Sequence, residues 1–101
     1  MNGSSEQLEA CTGFEWDVGN VDRNRESHGV SNAECEQVFF QRPLLIAPDL
    51  EHSHEEPRFA ALGRMADGRR LTIVFTIRGT LIRVISSRLM SRRERRVYEQ
   101  A

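Results

Sequence analysis

Between Leu71 and Ser87 the chain runs LTIVFTIRGTLIRVISS, and this stretch restricts the fold more than any other. On both sides of Gly79-Thr80 the side chains alternate with the two-residue period of a β-strand that buries one face. Gly-Thr between two such runs is a hairpin signal, because glycine reaches the positive φ that a two-residue turn requires. That turn sets the register: Arg78 opposite Leu81, Ile77 opposite Ile82, Thr76 opposite Arg83. One face then carries Ile73, Phe75, Ile77, Ile82 and Val84, a core. The other carries Thr72, Val74, Thr76, Arg78, Leu81, Arg83 and Ile85, a mixed face with two arginines.

Arg58–Met65 is a third strand-like run, joined to the first by Asp67-Gly68. Treated as a two-residue turn, Asp67-Gly68 puts Leu62 and Ala60 with the core and Phe59 beside Thr76. A one-residue slip would reverse each of these placements. Phe14–Asp17 is a short first strand, and Leu44–Ala47 another that Pro48 limits. VGNVDRNRESHG is weakly helical with Gly29 as its C-cap. Ser31 and Glu34 form an S-x-x-E capping box for a second helix, which Pro43 ends, and Ser91 and Glu94 form another for the last ten residues. The order β-α-α-β-β-β-β-α implies an α+β domain, a twisted antiparallel sheet with helices packed mainly on one face. Residues 1–13 are polar and aperiodic, expected to be a disordered arm, and 14–101 form a single domain.

Charge divides the chain. Residues 1–57 hold twelve carboxylates and three arginines, a net −9, while residues 58–101 hold eleven arginines and three carboxylates, a net +8. Such asymmetry suggests a polyanion partner for the second half. The chain has no lysine, so every fixed cation is a planar guanidinium suited to bidentate phosphate contacts. Arg92, Arg93, Arg95 and Arg96 crowd the start of the last helix, where the macrodipole favours anions. A solvated charged face is one explanation; a phosphate site shared with Arg78 and Arg83 is the other. No apolar run is long enough for a membrane span, and the N-terminus lacks the basic start and apolar stretch of a secretory leader. Cys11 and Cys35 form neither a disulfide framework nor a metal pair by spacing, which suits two free thiols in a cytoplasmic protein.

The residues resemble a known family. Phe14-Glu15-Trp16-Asp17, Asn24 and His28-Gly29-Val30 are similar to the opening pattern of the BrnT toxins. Arg58-Phe59, Gly63, Arg78-Gly79, Ile82-Arg83-Val84-Ile85-Ser86, Arg88, Arg92-Arg93-Glu94-Arg95-Arg96 and Tyr98-Glu99 follow the remainder in order, over about residues 14–100. The resemblance implies a ribonuclease toxin of a type II toxin–antitoxin module, with a fold similar to RelE-type toxins. It also implies a BrnA-like ribbon-helix-helix antitoxin that neutralises the toxin in a hetero-oligomer and contacts operator DNA on its behalf. Asn20 and Ser27 stand where the family commonly has lysine.

Metal-independent RNA cleavage needs a deprotonated 2′-OH, charge stabilisation at the phosphate and a proton for the leaving oxygen. Arg78 and Arg83 suit the second task, and Arg58, Arg88, Arg92 and Arg95 extend a phosphate track. His28 is the natural general acid or base, or else a histidine placed against a helix C-terminus. Glu94 is a base or only a cap. Phe59 and Tyr98 could stack RNA bases, or anchor the core. His52-Ser53-His54-Glu55-Glu56 invites a metal, but no distant third ligand is evident, so neither metal nor cofactor is expected. Two functions follow: an endoribonuclease that inhibits translation, or a catalytically weak binding protein acting as corepressor with its antitoxin or as a nucleic-acid module.

Overall fold

The computed structural model describes residues 8–16, 29–52 and 56–101. Among the described residues the frame is made by β1 (Gly13–Glu15), α1 (Asn32–Val38), β2 (Leu45–Pro48), β3 (Phe59–Arg64), β4 (Arg70–Arg78), β5 (Leu81–Leu89) and α2 (Arg92–Glu99), with a 3₁₀ turn at Leu50–His52. The strands lie in one sheet, ordered β1-β5-β4-β3-β2. The α+β class and the element order are as expected, while the segment 17–28 that should hold the first helix lies outside the described residues. Two details differ. β1 joins the edge parallel to β5, with Phe14 beside Ile82, so the sheet is mixed. The helices also divide between the faces: α1 covers the apolar face, and α2 crosses one end of the other. No described helix is long and apolar enough to cross a membrane.

The Gly79-Thr80 hairpin has the expected register, with Arg78 opposite Leu81 and Thr76 opposite Arg83. Gly79 takes φ 62°, the left-handed conformation for which glycine is needed. The other hairpin corrects the expectation. Phe59 lies opposite Phe75 and Ala61 opposite Ile73, so Phe59, Ala61 and Gly63 face the core while Ala60 and Leu62 face away. The reason is the loop. Met65 and Arg69 still pair, through Met65 N–H to the Arg69 carbonyl, which leaves a three-residue turn of Ala66, Asp67 and Gly68. Gly68 closes that turn at φ 94°. One extra turn residue slips the ladder by one position and flips every side chain of β3.

The core gathers between the sheet and α1, whose capping box is complete: Ser31 Oγ accepts from Glu34 N–H at 3.2 Å and Glu34 Oε1 from Ser31 N–H at 3.0 Å. Cys35 and Val38 are fully buried beneath it. The Cys35 thiol donates to Ser87 Oγ at 3.1 Å, and burial pushes its pKa up. Both Cys35 and Cys11 are free thiols. Phe39 stands edge-on to Phe14 and Phe75, with ring centroids 5.5 and 5.3 Å away. Gly63 lets α1 approach β3 closely, since a Cβ there would lie 2.5 Å from Val38 Cγ1. Leu8 and Cys11, within the stretch expected to be a disordered arm, pack against this core, and Thr12 N–H donates to the Thr80 carbonyl.

Candidate RNA-binding face

The face of the sheet away from α1 is built by alternation along β4, from Arg70 through Thr72, Val74 and Thr76 to Arg78, and by an irregularity in β5. Phe75 pairs with Val84, but Val74 pairs with Ser86, so Ile85 is an extra, bulged residue. The bulge changes the parity of everything after it. Ile82 and Val84 point into the core, and after the bulge it is Ser87 that does so, fully buried against Cys35. Ser86 and Arg88 are thereby turned to the open face, in line with Val74 and Thr72. Without the bulge Arg88 would point into the core. Because of it, Arg78, Arg83 and Arg88 share one face, and Arg58 joins them from the start of β3.

The ends of this row differ. Arg78 pairs with Glu56 at 3.3 Å, and Arg83 lies 3.6 Å from Glu15 on the neighbouring edge strand. At a strand rise of about 3.3 Å per residue, Arg83 and Arg88 are separated by on the order of 15 Å along β5. Between them and α2 lies a cleft of about 440 Å³, whose walls include Asp49, Arg58, Thr72, Ser86, Arg88 and Glu94. Of the residues named from sequence, Arg58, Arg88 and Glu94 meet in this cleft. Arg78 and Arg83 flank the same face beyond it.

Arg88 and Glu94 form a two-pronged pair, with Nη1–Oε1 at 2.6 Å and Nη2–Oε2 at 2.9 Å. Glu94 also accepts from the Ser91 amide at 2.8 Å, completing the capping box of α2. The Arg88 guanidinium, helped by the Ser91 amide and the nearby Thr72 hydroxyl, lowers the Glu94 carboxyl to about 2. At neutral pH Glu94 is therefore ionised, already engaged and a poor proton acceptor. Thr72 is 3% exposed, and its Oγ1 stands near the Glu94 carboxylate without a close hydrogen bond to any described residue.

The remaining sequence candidates are placed as follows. Phe59 is buried and packs on Phe75 with centroids 5.5 Å apart, so it is a core residue and cannot stack a base; the slipped β3 register is the reason. Tyr98 is 4% exposed and donates to the Pro43 carbonyl at 2.6 Å, which makes it the anchor of α2 rather than an RNA contact. Arg92 and Arg95 are exposed on α2. His28, Asn20, Ser27 and His54 lie outside the described residues. Among the described residues, no three His, Cys, Asp or Glu side chains cluster to hold a metal ion. Sequence reasoning missed Asp49 and Ser86: Pro48 hid the first in a loop, and no residue type announces the bulge that turns the second outward. Alternation alone had already put Thr72 on this face.

The family model for the ribonuclease toxin BrnT of type II toxin–antitoxin systems matches residues 16–94. That span runs from Trp16, whose indole donates to Glu36 Oε2 at 2.7 Å, to the cleft residue Glu94. In three dimensions the chain is similar to the crystal structure of the Brucella abortus ribonuclease toxin BrnT. The TM-score is 0.61 and the identity 21%, over 80% of this chain and 99% of that one, so the likeness is one of fold. No curated protein matches the sequence.

Proposed function

This chain belongs to the BrnT ribonuclease toxin family of type II toxin–antitoxin systems, and from that premise we propose that it is a metal-independent endoribonuclease whose scissile phosphate sits between Arg58, Arg88 and Thr72. The observation that carries the reading is the cleft itself: two guanidiniums, an engaged carboxylate and the buried Thr72 hydroxyl beside it on one open face. Arginine stabilises the phosphorane-like charge without losing its proton, so it does the work a metal would otherwise do. Arg78 and Arg83 hold the flanking phosphates. A phosphate that takes Arg88 draws it from Glu94, whose proton affinity then rises toward that of an ordinary carboxylate. Glu94 becomes a base for the 2′-OH at the moment substrate is in place. His28 is the second proton-transfer group, on the strength of its imidazole alone. The protein acts in the cytoplasm, inhibits translation by cutting RNA, and is neutralised by a BrnA-like ribbon-helix-helix antitoxin that carries it to operator DNA.

A second reading is favoured by one observation: Arg78, Arg83 and Arg88 each have a carboxylate at hand. A face masked in this way suits a protein that acts mainly by binding its antitoxin. Incubation of RNA with purified protein in EDTA separates the two. Cleavage that falls about 10²- to 10³-fold in Arg88→Ala and in Arg58→Ala, with unchanged circular dichroism, supports the nuclease. RNA left intact by a protein that still binds its antitoxin would sink it.

A further inference from the structure

A second basic cleft, of about 350 Å³, lies round the end of the sheet and is lined by Gly68, Arg69, Arg70, Leu89, Met90 and Arg95. Three elements build it: the β3–β4 hairpin, the end of β5 and the first turn of α2. Like charges are concentrated there. Arg70 stands directly opposite Arg64 in the ladder, an arrangement that opposes folding unless something offsets it. Arg69 reaches Asp67 and Glu34, and Arg70 reaches Glu99. Arg95 pairs with no carboxylate among the described residues. These ion pairs are open to solvent, with side chains 29–56% exposed. Exposed pairs are screened by water and add little to stability, so a phosphate can share or displace them. Each guanidinium has five N–H donors, and the carboxylates occupy only some of them.

The two clefts are lined by neighbouring residues of β4, β5 and α2. Arg70 is the next residue on the face that carries Thr72, roughly 6.6 Å along β4 at 3.3 Å per residue. Leu89 follows Arg88, and Arg95 follows Glu94. A strand of phosphates leaving the first cleft past Glu94 enters the second. Leu89, 56% exposed at its wall, offers an apolar surface to a base. This continuity fits a polyanion threading both clefts better than an acidic protein segment resting on one.

We infer that the cleft between the β3–β4 hairpin and α2 is a second RNA site, which holds the phosphodiester backbone of the substrate beyond the scissile bond through Arg69, Arg70 and Arg95. The inference rests on the ribonuclease reading above. It makes grip on RNA depend on residues outside the cutting cleft.

The test is binding of a 2′-O-methyl oligoribonucleotide, which cannot be cut through its 2′ oxygen, followed by fluorescence anisotropy over a range of salt. For single strands, log K falls against log salt with a slope of about −0.7 per phosphate contact. The Arg69→Gln, Arg70→Gln, Arg95→Gln triple variant should lose about 2 from the magnitude of that slope. Arg95→Gln alone removes no ion pair among the described residues, leaves the fold undisturbed, and should lose about 0.7. Arg42→Gln is the charge-matched control on the α1 side and should leave the slope unchanged. A triple variant with the wild-type slope overturns the second site while the ribonuclease reading stands, and so does an equal loss in Arg42→Gln. Wild-type protein that binds no RNA overturns both.

Discussion

Glu94 ties the last helix to the sheet, and its replacement by glutamine tests how. Gln at the third helical position still completes a capping box, so the substitution removes the charge interaction with Arg88 and spares the cap. The carboxyl falls from an ordinary 4.5 to about 2, chiefly through Arg88. At about 1.36 kcal/mol per pH unit this corresponds to roughly 3.4 kcal/mol. Glu94 is 24% exposed but Arg88 is 47% exposed, so solvent screens the pair, and about 1–2 kcal/mol is the expected contribution. The sign follows from proton binding. The native protein holds Glu94 ionised to lower pH than the unfolded chain does, so the stabilisation is complete above about 4.5 and is lost as pH falls through 2. Urea denaturation of wild type and Glu94→Gln at a series of pH values should show the variant less stable by about 1–2 kcal/mol at neutral pH. The difference should close as the pH approaches 2. Other carboxylates titrate equally in both proteins and cancel. A gap that stays constant from neutral to acid pH would refute the reasoning, because it would show that the lost contact was not ionic.

Two further substitutions address the frame around the cleft. Gly63→Ala places a Cβ 2.5 Å from Val38 Cγ1 and should lower stability by about 1–3 kcal/mol, read as a lower urea midpoint; adding Val38→Ala should restore part of it. Tyr98→Phe removes the hydrogen bond to the Pro43 carbonyl and should lower stability by about 0.5–1.5 kcal/mol without changing the rate of RNA cleavage, a split that a proton-donating role for the hydroxyl would not produce.

Local chemistry made some of this structure legible in the sequence. Gly79-Thr80 dictates its own turn, and the turn dictates which residues of β4 and β5 face each other, so the common side of Arg78 and Arg83 could be read from spacing. Both capping boxes were likewise legible, because each needs only residues three apart. The family resemblance rested on motifs that span nearly the whole domain, and residues 16–94 match the family model. Asp67-Gly68 misled because a three-residue turn and a two-residue turn share the same dipeptide, and only pairing with β4 decides between them. Phe59 followed that slip into the core.

Alternation, turn residues and caps thus determined the class, the order of elements and the central hairpin, since these arise from interactions between near neighbours. Tertiary structure decided where the chemistry stands. The bulge at Ile85 turned Arg88 outward, α2 carried Glu94 across the open face to meet it, and β1 added its edge in parallel. Each depends on how distant segments share one packed interior, where a single residue's shift reverses a side chain, and no short stretch of sequence records that sum.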